Sequence, residues 1–166
     1  MKYYGICPAS CGEFVQGVMD RAEYLCSYAV DLYSTAEVAE KLNNINLGPL
    51  KSRKAIEAVF KKFNIPVEES KNISLKIRSK IPVGKGMASS TADIGATIGA
   101  TLGLIKKELS SEEIAKLAST IEPTDSIYIE KNSIFNPLNG EVIRYLGNVK
   151  DLRVVILEPN LSLIPI

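Results

Sequence analysis

The chain has 166 residues, 46% of them hydrophobic and 23% charged, with a formal net charge of +1. That length supports one domain with a real core, and the balanced charge gives no reason to expect a nucleic-acid or membrane surface. Histidine is absent, which excludes Ser-His-Asp and Cys-His catalysis, histidine metal sites and imidazole pH switching, and leaves acid–base work to carboxylates, Lys, Tyr or Cys.

The three cysteines, Cys7, Cys11 and Cys26, form no disulfide framework, and no second pair or histidine completes a zinc site around Cys7 and Cys11. They read as small thiols in a reducing compartment. The opening MKYYGICPAS lacks the apolar core of a signal peptide. The longest uncharged, largely apolar stretch, Ile94 to Ile105, is too short to span a bilayer. The expected location is the cytoplasm.

In chain order, YYGICPA and EFVQGVM read as two short strands separated by Ser10-Cys11-Gly12. YLCSYAVDLYSTAEV is strand-like on either side of Asp31. A helix follows, with Pro49 near its start and Ile56, Val59, Phe60 and Phe63 at helical spacing; Asn64 and Pro66 end it. NISLKIRSK alternates apolar and polar residues, the pattern of a half-buried strand. IPVGKGMASSTAD comes next, then a helix from about Ser89 to Ile105. A second helix follows LSSEE, where Ser110 or Ser111 can cap and Glu112 and Glu113 suit the first turn; Pro123 is expected to stop it. SIYIE, EVIRYL and LRVVILE all read as strands. This order predicts an α+β domain with helices on one side of a mixed or antiparallel sheet.

Gly84 and Gly86 permit positive φ and close approach of a ligand to the backbone. The helix they feed presents N–H groups without internal partners and the positive end of its dipole, so the loop is a candidate phosphate site. Ser89, Ser90 and Thr91 can donate to phosphate oxygens, one hydroxyl can ligate Mg2+, and Lys85 can add charge. The spacing is neither that of a Walker A loop nor G-x-G-x-x-G, and a plain turn with a serine N-cap fits the same residues. Gly95, Gly99 and Gly103 lie four apart in the helix. Together they cost roughly 3 kcal/mol relative to Ala, which close packing must offset. IEPTDSIYI sets Glu122 and Asp125 around Pro123, at a helix C-terminus whose dipole disfavours negative charge. A cation would offset that pair; a solvated turn with an Asx-type bond at Asp125 is the alternative.

IPVGKGMASSTAD resembles the second signature of the GHMP kinases, and CPASCGEFVQG resembles the first. With EPTD and FNPLNGEVIRYLG, these segments are most similar to the L-threonine kinase family of cobalamin biosynthesis, over the span from Gly5 to about Glu158. The resemblance implies the ribosomal-protein-S5-domain-2-like fold and Mg-ATP-dependent phosphorylation of a small-molecule hydroxyl. The implied acceptor is L-threonine, with homoserine the alternative. It implies that ATP lies along Pro82, Gly84, Lys85, Gly86, Met87, Ala88, Ser89 and Ser90, and that Ser90 and Glu122 ligate Mg2+. It places Asp125 beside the acceptor hydroxyl, and Ser10 and Glu13 near the acceptor amino acid. Family members carry a second α+β domain with a third glycine-rich signature, and nothing here matches it. The expectation is therefore a single ATP-binding N-terminal domain over residues 1–166, active alone or silent without a separate C-terminal chain or a second copy.

Overall fold

The computed structural model describes residues 1–40, 48–147, 149 and 152–157. Its frame is one long hairpin. Strand β1 (Lys2–Met19) pairs antiparallel with β2 (Ala22–Glu40), and the turn between them is Asp20-Arg21, both at positive φ (51° and 65°). Two left-handed residues match the twist of a tight hairpin. YYGICPA and EFVQGVM are thus one strand and not two. The Ser10–Gly12 segment expected to separate them is instead an irregularity within it, with register shifts from Pro8 to Val15 and Gly12 at φ 103°. Such bulges re-aim side chains without ending the ladder.

The other edge of β2 is shared. Its Ser34–Glu40 half pairs with β3 (Ile73–Ser79), and Leu25 pairs with Phe135 of β4 (Ser133–Asn136), which in turn pairs with β5 (Glu141–Tyr145). All the pairings are antiparallel. SIYIE, expected as a strand, holds a single 3-10 turn at Ser126–Tyr128. Residues 152–157 of the expected strand LRVVILE lie in no regular element, and its last residue, Glu158, lies outside the described residues.

Helices α1 (Leu50–Lys62), α2 (Ser89–Ile105) and α3 (Ser111–Ser119) match the predicted ones. α3 starts on a capping box between Ser110 and Glu113, which satisfies two orphan backbone donors. It ends at Ser119, ahead of Pro123. α2 lies across β1 and β2, flanked by α1 and α3. The sheet face beneath it contributes Cys7, Ala9, Ala36 and Val38 to a core with Ile56, Phe60, Leu75 and Ala96, while Tyr4, Ile6 and Tyr33 of the hairpin are exposed. Arg53 is buried with them because its guanidinium donates to the carbonyls of Ile73 (2.8 Å) and Ser70, so its polar atoms are satisfied. The thiols of Cys7 and Cys26 are buried and free, as the sequence reading has them.

Two glycines, Gly5 of β1 and Gly95 of α2, sit where no side chain would fit. A Cβ on Gly5 of β1 would stand 2.0 Å from the Ala96 carbonyl oxygen, and one on Gly95 would stand 2.4 Å from the Tyr128 ring. Backbone meets backbone at the first crossing, and an aromatic ring lies flush on the helix at the second.

Candidate active site

The loop before α2 is anchored by its apolar ends. Ile81 and Met87 are both buried in the main core, 4% exposed, while Val83 between them is 81% exposed. Pro82, Gly84 and Lys85 are half-buried and Gly86 is exposed. Burial of two large side chains six residues apart stitches the loop down and leaves its crest open. Gly84 (φ 70°), Gly86 (φ 71°) and Ala88 (φ 54°) alternate in the left-handed region, and Ala88 holds that conformation at a cost of about 1 kcal/mol for a residue with a Cβ.

Ala88 is the N-cap of α2, and no side chain caps the helix. The alternative of a turn with a serine N-cap therefore does not hold: Ser89 and Ser90 are the first residues inside the helix and both are half-buried. Uncapped N–H groups at a helix start, approached through left-handed residues, favour an anion by backbone hydrogen bonding and by the dipole together.

The carboxylates come from the segment after α3. Asp125 Oδ1 accepts from the Ser27 hydroxyl (3.1 Å), and Ser126 Oγ accepts from the Ser27 N–H (3.0 Å). The partner of Asp125 is thus a residue of β2, in place of the local Asx-type bond. Glu13 is the ladder partner of Ser27, so the two acids meet at one point of the hairpin. Burial first, and then the charge of Glu122, push the Asp125 carboxyl above its ordinary pKa, against the Ser27 hydrogen bond. Desolvation and the charge of Asp125 push Glu13 upward as well. Ser10 is buried (1% exposed) on the near side of the Gly12 bulge. The bulge itself is held by Tyr28, whose hydroxyl donates to the Cys11 carbonyl (2.6 Å).

Glu122 is mostly buried and pairs through Oε2 with Lys51 in the first turn of α1. Its Oε1 is buried with no hydrogen-bond partner. A hydroxyl at Ser90 and a carboxylate at Glu122 are the hard oxygen donors Mg2+ takes, and the orphan oxygen leaves one of them unsatisfied by protein. Among the described residues no three His, Cys, Asp or Glu groups gather as a metal site. A cation here would draw its remaining ligands from phosphate and water, as Mg2+ on a nucleotide does.

Sequence reasoning missed four participants. Asp93, one turn into α2, accepts from the buried Ser34 hydroxyl at 2.5 Å. Burial raises its pKa, Ser34 opposes, and Glu122 adds to the rise. Ser27, Lys51 and Tyr128 are the others. Asp93 stood at the end of the quoted loop motif; nothing in the strand-like SIYIE or the helix opening LKSRK marked Tyr128 or Lys51.

Comparison with known proteins agrees with this architecture. Residues 51–129 match the family described as GHMP kinases N terminal domain, and that segment of the chain is of this family. Among curated relatives, L-threonine kinase of Salmonella typhimurium is 44% identical over 134 residues, covering 81% of this chain and 44% of the relative. L-threonine kinase of Citrobacter freundii is 39% identical over 134 residues, covering 81% and 46%. The chain therefore spans less than half the length of these relatives. Among solved structures, Methanococcus jannaschii mevalonate kinase superposes with a TM-score of 0.64 at 26% identity, covering 89% of this chain and 56% of that one. A putative homoserine kinase of Listeria monocytogenes shares the fold, with a TM-score of 0.59 at 21% identity over 90% and 54% of the two chains.

Proposed function

We propose that the chain is the ATP-binding domain of a small-molecule kinase, and that it transfers the γ-phosphoryl group of ATP to the side-chain hydroxyl of L-threonine, in the cobalamin-biosynthesis setting the resemblance implies. The observation that carries the reading is the mouth of α2: an uncapped helix start reached through left-handed Gly84, Gly86 and Ala88, with Ser89 and Ser90 inside its first turn. The two L-threonine kinase relatives support the choice of acceptor.

In this reading the backbone from Gly84 to Ser90 holds the phosphates. Ser90 and Glu122 would hold Mg2+, which when bound neutralises phosphate charge. Ser10 and Glu13 belong to the acceptor's end of the site. Asp125 orients the acceptor hydroxyl and takes its proton as the oxygen–phosphorus bond forms and ADP leaves. Its raised pKa makes it a better base than a solvated aspartate. Phosphoryl transfer asks mainly for positioning and charge neutralisation, which suits a chain without histidine.

The test is ADP release from Mg·ATP with L-threonine, homoserine and mevalonate as acceptors. Threonine is expected to be preferred, and a preference for homoserine would shift the assignment to the other amino-acid alcohol. Asp125→Ala and Ser90→Ala should each lower turnover by about 10²-fold or more with little change in the folded baseline. Unchanged turnover in either removes the role given to that residue.

A further inference from the structure

Tyr128 is assigned no part in the reading above, yet it joins the two halves of the site. Its hydroxyl donates to the Thr91 carbonyl at 2.7 Å, in the first turn of α2 just after Ser89 and Ser90. Its ring lies on Gly95, where a Cβ would come within 2.4 Å, and beside Cys7. Three residues before it in sequence, Asp125 is tied to Ser27 by its carboxylate, and Ser126 takes the Ser27 N–H. Thr124 donates its N–H to Pro137. The segment from Thr124 to Tyr128 is thus pinned to β2 at one end and to the start of α2 at the other.

Resting on the kinase reading above, we infer that Tyr128 is a positioning residue: its Thr91 hydrogen bond and its seat on Gly95 set the distance between the phosphate-binding start of α2 and Asp125. The geometry has the parts such a strut needs. The ring is rigid, with two torsions. Its seat exists only because residue 95 has no side chain. The acceptor at its tip is a backbone atom of the turn that carries the serines, so movement of that turn is transmitted directly. The chain pairs the acid and the phosphate cradle through one side chain, and a misplacement of about 1 Å between reacting groups is enough to cost about 10²-fold in rate.

Tyr128→Phe keeps the ring and removes the hydroxyl. The expected result is a kcat for threonine lowered about 10- to 100-fold with KM for Mg·ATP within about threefold, because the cradle survives and only its distance from Asp125 is released. A residue that merely stabilised the fold would leave kcat of the folded fraction unchanged. Hydrogen exchange supplies a readout independent of turnover. In the native chain, ATP should slow exchange at residues 89–92 and also at 124–128; in Tyr128→Phe the slowing should be confined to 89–92. If Tyr128→Phe does not fold, Ser126→Ala loosens the other anchor of the same segment and should give the same separation of kcat from KM. The inference is overturned if native chain binds ATP and the variant shows native kcat or native protection of 124–128. If native chain neither binds nor turns over ATP, the kinase reading fails and takes the inference with it.

Discussion

Asp93 shows how a single residue can be held against its own chemistry. It accepts from Ser34, whose hydroxyl is buried, while burial and the charge of Glu122 raise its pKa. The folded state therefore binds the proton more tightly than the unfolded chain. The contribution of Asp93 to stability is greatest at low pH and falls as pH rises from the unfolded value through the raised folded one. Asp93→Asn keeps an oxygen for Ser34 and removes the charge. Its melting temperature should exceed that of the native chain by a few degrees, about 2–4 °C, at pH 7, and the gap should close near pH 4. Thermal unfolding across a pH series checks it; a gap that is constant with pH would mean that ionisation is not its source. The sequence offered Asp93 only as the last letter of a motif. What makes it matter is a hydrogen bond to a residue 59 positions away, and no local pattern encodes that.

Elements repeat the lesson in a different form. α1, α2 and α3 were legible because their apolar spacing, caps and flanking prolines all act within a few residues. The loop before α2 was legible for the same reason: glycines before a helix start are a local signal. β1 reads as two strands in sequence because Ser10-Cys11-Gly12 has turn composition, while the structure keeps it in one ladder through pairing with β2. SIYIE has strand-forming residues, and tertiary anchoring at Ser27 and Thr91 turns it instead. Short β4, Ser133–Asn136, had no signal of its own. The α2 glycines divide by what they touch. Gly95→Ala would force a Cβ into Tyr128 and Cys7 and should destabilise by about 1–3 kcal/mol. At Gly103 the nearest atom to a new Cβ is 3.5 Å away, on Tyr3. Gly103→Ala should therefore gain up to about 1 kcal/mol. Urea unfolding of the two variants measures both signs, and equal costs would mean the contacts do not govern.

At the scale of the whole molecule, the candidate site is assembled from distant parts: β1 supplies Glu13, β2 supplies Ser27, α1 supplies Lys51, α2 its start, and the segment after α3 its acids. A ligand that engages these parts binds only the folded chain. Mg·ATP at about 100 times its dissociation constant should add about 2.7 kcal/mol. For a chain of this size that raises the melting temperature by about 5–10 °C. Ser90→Ala should lose most of that shift. Differential scanning fluorimetry with ATP, with and without Mg2+, checks it, and a shift of the same size in Ser90→Ala would remove that residue from the nucleotide site.

The crossing of β1 and α2 at Gly5 gives the helix a fulcrum. A Cβ built on Gly99 would lie 3.7 Å from the Gly5 Cα, and Ser90 is nine residues nearer the start of the helix, about 13 Å along its axis. A methyl group at position 5 would lift the helix at that point. A tilt of about 5° there would swing the serines by about 1 Å, on the 1.5 Å rise per residue. The fifth residue of the chain thus bears on the aim of a loop that begins some eighty residues later, and it does so by having no side chain at all.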